Sequence, residues 1–119
     1  MINKVYYLKS CSTCIRILKE LELPKNVVLQ NIKTEAITEI QIDEMKRLAA
    51  SYEGLFSKRA TLYKQRDLKN KSLTETDYKN LILEHYTFLS RPVFIIDHKI
   101  YIGNSKQNVE AVKIALNEN

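Results

Sequence analysis

The apolar positions of this chain change period several times, and each change marks an element. Val5-Tyr6-Tyr7-Leu8 is a short apolar and aromatic run that reads as a buried strand. Lys9 and Ser10 form a loop, and a helix is expected from about Ser12. There Cys14, Ile17, Leu18 and Leu21 fall at i, i+3, i+4 and i+7, the spacing of one buried face. Pro24 ends it, because the residue before a proline is driven from the helical region. Val27 to Ile32, rich in β-branched residues, reads as a second strand. Thr38 is placed to cap a second helix, whose Met45, Leu48, Ala49 and Tyr52 repeat the stripe, with Gly54 as the expected stop.

Residues 55 to 71 are looser, with a short helix around Ala60 to Lys64 and a basic loop. Ser72 or Thr74 opens the next helix, with Tyr78, Leu81, Ile82 and His85 as its inner stripe. Val93-Phe94-Ile95-Ile96 is apolar throughout, so it reads as a strand buried on both faces. Asp97-His98-Lys99 turns it into Ile100-Tyr101-Ile102-Gly103, a β-hairpin. A last helix from about Ser105 turns Val109, Val112 and Leu116 inward. The order is βαβ, then helices, then ββα. It predicts an α/β fold with a four-stranded mixed sheet and a helical insert between strand 2 and the C-terminal hairpin. The first two strands are expected to be parallel through a right-handed crossover.

At 119 residues the length predicts a single domain over 1–119. No apolar run approaches the roughly 20 residues that span a bilayer. Met1 to Val5 enter a strand pattern without the layout of a signal peptide. A cytoplasmic location is therefore expected, where a disulfide pair is more often catalytic or sensing than structural. The net charge of +5 adds little. Its dense stretch, Lys58, Arg59, Lys64, Arg66, Lys69 and Lys71, reads chiefly as a solvated surface, and direct DNA binding is not expected.

The chemistry lies in Cys11-Ser12-Thr13-Cys14. A C-x-x-C beside a βαβ unit reads as a thioredoxin-like redox motif. Cys11 sits at the mouth of the first helix, where free N–H groups and the positive end of the dipole favour a thiolate. Cys14 lies one turn later on the apolar stripe. Cys11 would therefore attack, and Cys14 would resolve the intermediate as an intramolecular disulfide. Inert core cysteines are one alternative, and half a zinc site another. Zinc wants four ligands, and only His85 and His98 remain to join the pair. Pro92, opening a strand beside such a site, is either a cis-proline packed against the cysteines or a trans proline that starts a strand. Arg91 offers a bidentate fork to an oxyanion, and Arg59 is a candidate second arm.

Three blocks together carry a family resemblance: Tyr7-Leu8-Lys9-Ser10-Cys11-Ser12-Thr13-Cys14, Leu55-Phe56-Ser57-Lys58-Arg59, and Leu89-Ser90-Arg91-Pro92-Val93 before the hairpin. With them the chain resembles, over nearly its whole length, the arsenate reductase/Spx-like family of thioredoxin-fold proteins. The resemblance implies Cys11 as the nucleophile, Arg59 and Arg91 as binders of an anionic substrate, and a cis Pro92. It implies no bound cofactor, and a thiol reductant, glutathione/glutaredoxin or thioredoxin, as electron donor.

Two departures bear on the substrate, which the resemblance makes a small oxyanion or an oxidised thiol. Arsenate reductases of this type look like Cys-Gly-x-Ser, whereas Cys14 here points to an internal disulfide. They also use a third arginine after the hairpin, where this chain has Gly103-Asn104-Ser105. One lost charge-assisted contact costs about 1.5–3 kcal/mol, which counts against arsenate. In place of the basic residue that commonly follows the second cysteine stands Ile15, with Arg16 one position later. The C-x-x-C form is closer to the Spx branch, whose members bind RNA polymerase. That branch carries a longer C-terminal tail and a glycine-bearing surface for the polymerase α subunit, for which Gly54 is the candidate. The functions to separate are thus a thiol oxidoreductase, a redox-sensing regulator and a domain that keeps the fold without turnover.

Overall fold

The computed structural model describes residues 3–118. Met1 and Ile2, read above as leading into the first strand, and Asn119 at the end of the expected domain lie outside the described residues. The chain forms two compact units. One joins the N-terminal stretch through Glu35 to the segment from Arg91 onward, and the other is Ala36–Ser90.

The first unit holds the sheet. Strand β1 (Lys4–Tyr7) is followed by helix α1 (Ser12–Leu21) and strand β2 (Val28–Asn31), and the hairpin β3 (Val93–Ile96) and β4 (Lys99–Ile102) follows in space. The order is β2-β1-β3-β4. β1 runs parallel to β2, with Val5 opposite Leu29, and antiparallel to β3, with Val5 opposite Phe94. This is the mixed sheet that the sequence pattern predicts. Every residue of β3 is buried, as its unbroken apolar run requires. β2 is one of the two edge strands, and its Val28 and Leu29 are exposed. The hairpin turn is Asp97-His98, with φ of 51° and 65°, the two left-handed positions of a two-residue I′ turn. Asn3 Oδ1 accepts the Asp97 N–H at 3.1 Å and fastens that turn to the start of β1.

Helix α5 (Lys106–Asn117), capped by Ser105 through the Asn108 N–H, packs with α1 in this unit. Their inner faces meet Val5, Phe94 and Ile96 in a core that includes Ile17, Leu21, Val109 and Val112. Leu116, expected inward, is partly buried and packs against that cluster. α1 stops at Leu21, before Pro24, because Glu22 takes a left-handed conformation.

The second unit is helical: α2 (Glu39–Ala49), α3 (Thr61–Gln65) and α4 (Glu75–Glu84), with 3₁₀ turns at Glu53–Leu55, Leu68–Asn70 and Tyr86–Phe88. Thr38 and Thr74 each form a complete capping box, the first with Gln41 and the second with Asp77. Two expectations fail here. α2 ends not at Gly54 but four residues earlier, where Ala50 turns left-handed and its N–H bonds the Lys46 carbonyl. Tyr52 is consequently outside the helix, and Gly54 sits within a 3₁₀ turn. His85 does not extend the α4 stripe either. It is extended at the helix end, and its Nδ1 accepts the Thr87 N–H at 3.1 Å. Phe56 centres an aromatic cluster, stacked on Phe88 and edge-on to Tyr63 and Tyr78. Of the basic stretch, Lys58 pairs with Glu53 and Arg66 with Glu84.

Candidate active site

The cysteine helix is placed by its two flanking strands. β1 ends at Tyr7, whose carbonyl accepts the Ile32 N–H at 3.0 Å, and the chain then turns through Leu8, Lys9 and Ser10. The Cys11 N–H bonds the Leu8 carbonyl at 3.0 Å, closing that turn. Cys11 is extended (φ −93°, ψ 111°), and its carbonyl accepts the Ile15 N–H, the first bond of α1. It therefore stands at the N-cap, partly exposed, with the first-turn N–H groups, which have no partner within the helix itself, beyond it. Cys14 lies on the inner face of the helix and is fully buried. Both are free thiols.

The two thiols influence one another's ionisation, and the environment drives their acidities apart. Burial by itself raises the Cys11 thiol. Hydrogen bonds from the Cys14 backbone and thiol and from the Thr13 backbone, with the Arg91 charge, outweigh it and leave Cys11 below the usual thiol range. Burial pushes Cys14 up to about 11. The negative charge and thiol of Cys11 add to that rise, against the opposing effects of a Leu8 backbone hydrogen bond and of Arg91. The accessible sulfur is thus the readily ionised one, and its neighbour is held as a proton-bearing thiol.

Arg91 and Pro92 reach this end of the sheet because β3 runs antiparallel to β1 and starts where β1 finishes, with Val93 opposite Tyr6. The Arg91–Pro92 peptide is cis. The Pro92 carbonyl accepts the Gly103 N–H at 2.9 Å, which brings the end of β4 to the same place. Gly103 has φ of +97°, a conformation that favours glycine. Cys11, Cys14, Arg91 and Pro92 thus all belong to the sheet unit. Arg59 belongs to the helical unit, exposed in the turn before α3. That turn leaves a short antiparallel contact in which Ser57 N–H bonds the Phe88 carbonyl and Ser90 N–H bonds the Leu55 carbonyl.

One positioning residue escaped the sequence reading. Asn31, closing β2, accepts the Lys9 N–H on its Oδ1 at 3.3 Å and the Lys33 N–H at 3.4 Å, so it ties the loop before Cys11 to the neighbouring strand. The available signal was an asparagine at a strand end, where its short side chain bonds nearby backbone. Among the described residues no cluster of three or more His, Cys, Asp or Glu side chains is arranged to hold a metal ion.

Residues 6–112 match the sequence model of the ArsC family. The chain belongs to the ArsC family. An arsenate reductase of Neisseria meningitidis serogroup A is 26% identical over 112 residues, covering 92% of this chain and 96% of that protein. An ArsC family-related protein from Bacteroides fragilis superposes with a TM-score of 0.78 at 20% identity, over 94% of this chain and 99% of its own. An arsenate reductase from Vibrio cholerae gives 0.76 at 15% identity, over 96% and 97%. The likeness to these structures extends the ArsC thioredoxin-like architecture over nearly the whole chain. No helix among the described residues is long and apolar enough to cross a membrane.

Proposed function

We propose that this ArsC-family chain is a thiol-dependent reductase in which Cys11 is the nucleophile and Cys14 the resolving thiol. The observation that carries this reading is the opposed acidity of the two sulfurs, Cys11 lowered at the helix mouth and Cys14 raised to about 11 in the core. On an oxidised thiol, the Cys11 thiolate attacks one sulfur of the substrate disulfide. A Cys11–substrate bond forms and the first product thiolate leaves. Cys14 then gives up its proton and attacks the Cys11 sulfur, and the second product thiolate departs. Two electrons have passed to the substrate, and Cys11–Cys14 is left as a disulfide.

Arg91 supplies positive charge to this site and is the anion-binding residue of this unit that the family pattern implies. Pro92, which follows the cis peptide and leads into β3, is the residue that the family pattern sets beside the cysteines. The reductant that reopens the disulfide is glutathione/glutaredoxin or thioredoxin. Arsenate is the named substrate of the curated relatives. The absence of arginine at Gly103-Asn104-Ser105 favours an oxidised thiol over arsenate here. Those relatives are named as reductases, and this favours a reductase over a polymerase-binding regulator.

The test is alkylation of the two cysteines by iodoacetamide as a function of pH, resolved by mass spectrometry. Cys11 should reach half its maximal rate below the usual thiol range, and Cys14 should react appreciably only towards pH 11. Equal reactivity of the two, with a common midpoint near the usual value, would end this assignment of roles.

A further inference from the structure

The last rung of the β3–β4 ladder lacks a donor, and a side chain from α5 supplies it. Val93 faces Ile102 and Ile95 faces Ile100 in this antiparallel pair, so the next residues out, Pro92 and Gly103, also stand opposite each other. The Gly103 N–H bonds the Pro92 carbonyl at 2.9 Å, which makes this a rung of the hydrogen-bonded kind. In such a rung two residues exchange two bonds, but proline has no N–H to give. The Gly103 carbonyl therefore goes without the ladder donor that any residue other than proline would offer it. Asn108 takes that place: its Nδ2 donates to the Gly103 oxygen at 2.8 Å, in a partly buried bond.

Asn108 does this by departing from what its counterparts do in α2 and α4. It is the third residue of α5, and its backbone N–H bonds the Ser105 Oγ at 3.1 Å. At the same place in α2 and α4, Gln41 and Asp77 turn a side-chain oxygen back to accept the N–H of their own capping threonine. Asn108 instead carries an amide nitrogen past its capping residue to a carbonyl two positions earlier. A carboxylate there could not donate, so the amide answers the N–H that Pro92 lacks.

The rung adjoins the reactive sulfur, because Pro92 follows Arg91 directly and the Arg91 charge acts on Cys11. We propose that Asn108 is a positioning residue of the redox site: by completing the rung between Pro92 and Gly103 it fixes the backbone from which Arg91 meets an anionic substrate beside Cys11. This role deepens the reductase reading above and rests on it. Without the Asn108 bond the Gly103 carbonyl must turn to water, the hold of Gly103 on Pro92 slackens, and Arg91 loses its fixed origin.

Two chromogenic disulfides separate charge recognition from nucleophilicity: dithionitrobenzoate, which carries carboxylates, and neutral dithiodipyridine. The same Cys11 thiolate attacks both, so the ratio of their first-phase rates reads anion binding rather than thiol acidity. Arg91→Ala should lower that ratio about tenfold, the scale of one charge-assisted contact. Asn108→Leu keeps the bulk of the side chain and removes the donor. It should lower the ratio about three- to fivefold, with faster exchange of the Gly103 amide. Asn108→Gln, which restores a donor, should recover part of that loss. Ser105→Ala removes the cap of α5 and leaves the Nδ2 bond, so it should lower thermal stability with the ratio unchanged. An unchanged ratio in Asn108→Leu, or an equal fall in Ser105→Ala, would overturn the positioning role. The alkylation profile of Cys11 reports on the reductase reading separately. A lowered Cys11 with a ratio indifferent to Asn108→Leu keeps the cycle and removes the role of Asn108. A ratio that falls in Asn108→Leu while Cys11 titrates ordinarily keeps the positioning of Arg91 and removes the roles assigned to the cysteines.

Discussion

The two units of this chain are held together by different means. In the sheet unit the strands are only four residues long, and their order depends on burial. β3 has no exposed residue, and Val5, Phe94, Ile96, Ile17 and Val112 share one core. The helical unit leans instead on the ends of its elements. Thr38 and Thr74 cap reciprocally, and Glu75 reaches back to accept the Tyr52 N–H at 2.7 Å and the Glu53 N–H at 3.0 Å. The cysteine pair sits in the unit where burial dominates. That is why one of two cysteines three residues apart can be kept dry while the other meets solvent.

The largest test of this contrast is truncation of the sheet core. Phe94→Ala removes a fully buried ring and should cost about 3–5 kcal/mol in urea unfolding, with amide exchange rising throughout β1 and β3. If exchange rose only in the helical unit, the contrast would be wrong. Next in size is the acidity of Cys14. Its thiol keeps its proton to about pH 11 when folded, whereas in the unfolded chain it ionises in the usual thiol range. The folded state therefore binds that proton more tightly. The resulting stability, about 2–3 kcal/mol for a shift of this size, is complete below the usual thiol range and is lost as pH rises through 11. Between pH 8 and 11 the wild type should lose more stability than Cys14→Ala, and parallel profiles would show that burial does not hold the thiol. Smaller again is Glu75→Ala, which leaves two backbone donors to water. It should cost about 1–2 kcal/mol, with faster amide exchange around residues 52–56 and little change in the sheet.

The same contrast explains what was legible in the sequence. The apolar run at 93–96, the hairpin after it and the cysteines at a helix mouth are local signals of burial and spacing, and the sheet unit follows them closely. The helical unit departs where distant polar groups decide an end. Gly54 reads as a helix stop, but Ala50 takes the left-handed position. Ser51 Oγ then holds the Gly54 N–H at 3.0 Å, and Glu75, more than 20 residues away, takes the donors at 52 and 53. His85 falls at the spacing of the α4 stripe, yet its ring nitrogen serves a 3₁₀ turn instead. At the site, Cys11, Cys14 and Arg91 could be picked by residue type and spacing. Asn31 could not, because its part depends on β2 lying beside β1.

Helices α2, α4 and α5 each begin with a hydroxyl oxygen that accepts a backbone N–H, from Thr38, Thr74 and Ser105. α1 begins with Cys11, whose neutral thiol makes no such bond, and its first turn holds no acidic residue. The helix therefore gains a cap only when that sulfur is an anion, so reactivity and helix integrity rise together. Blocking Cys11 by alkylation should leave α1 with a looser first turn, the smallest of these effects. Amide exchange at Thr13 and Cys14 would quicken while that at Leu18 stayed unchanged. The backbone of one helix would then carry a record of whether its leading sulfur is charged or spent.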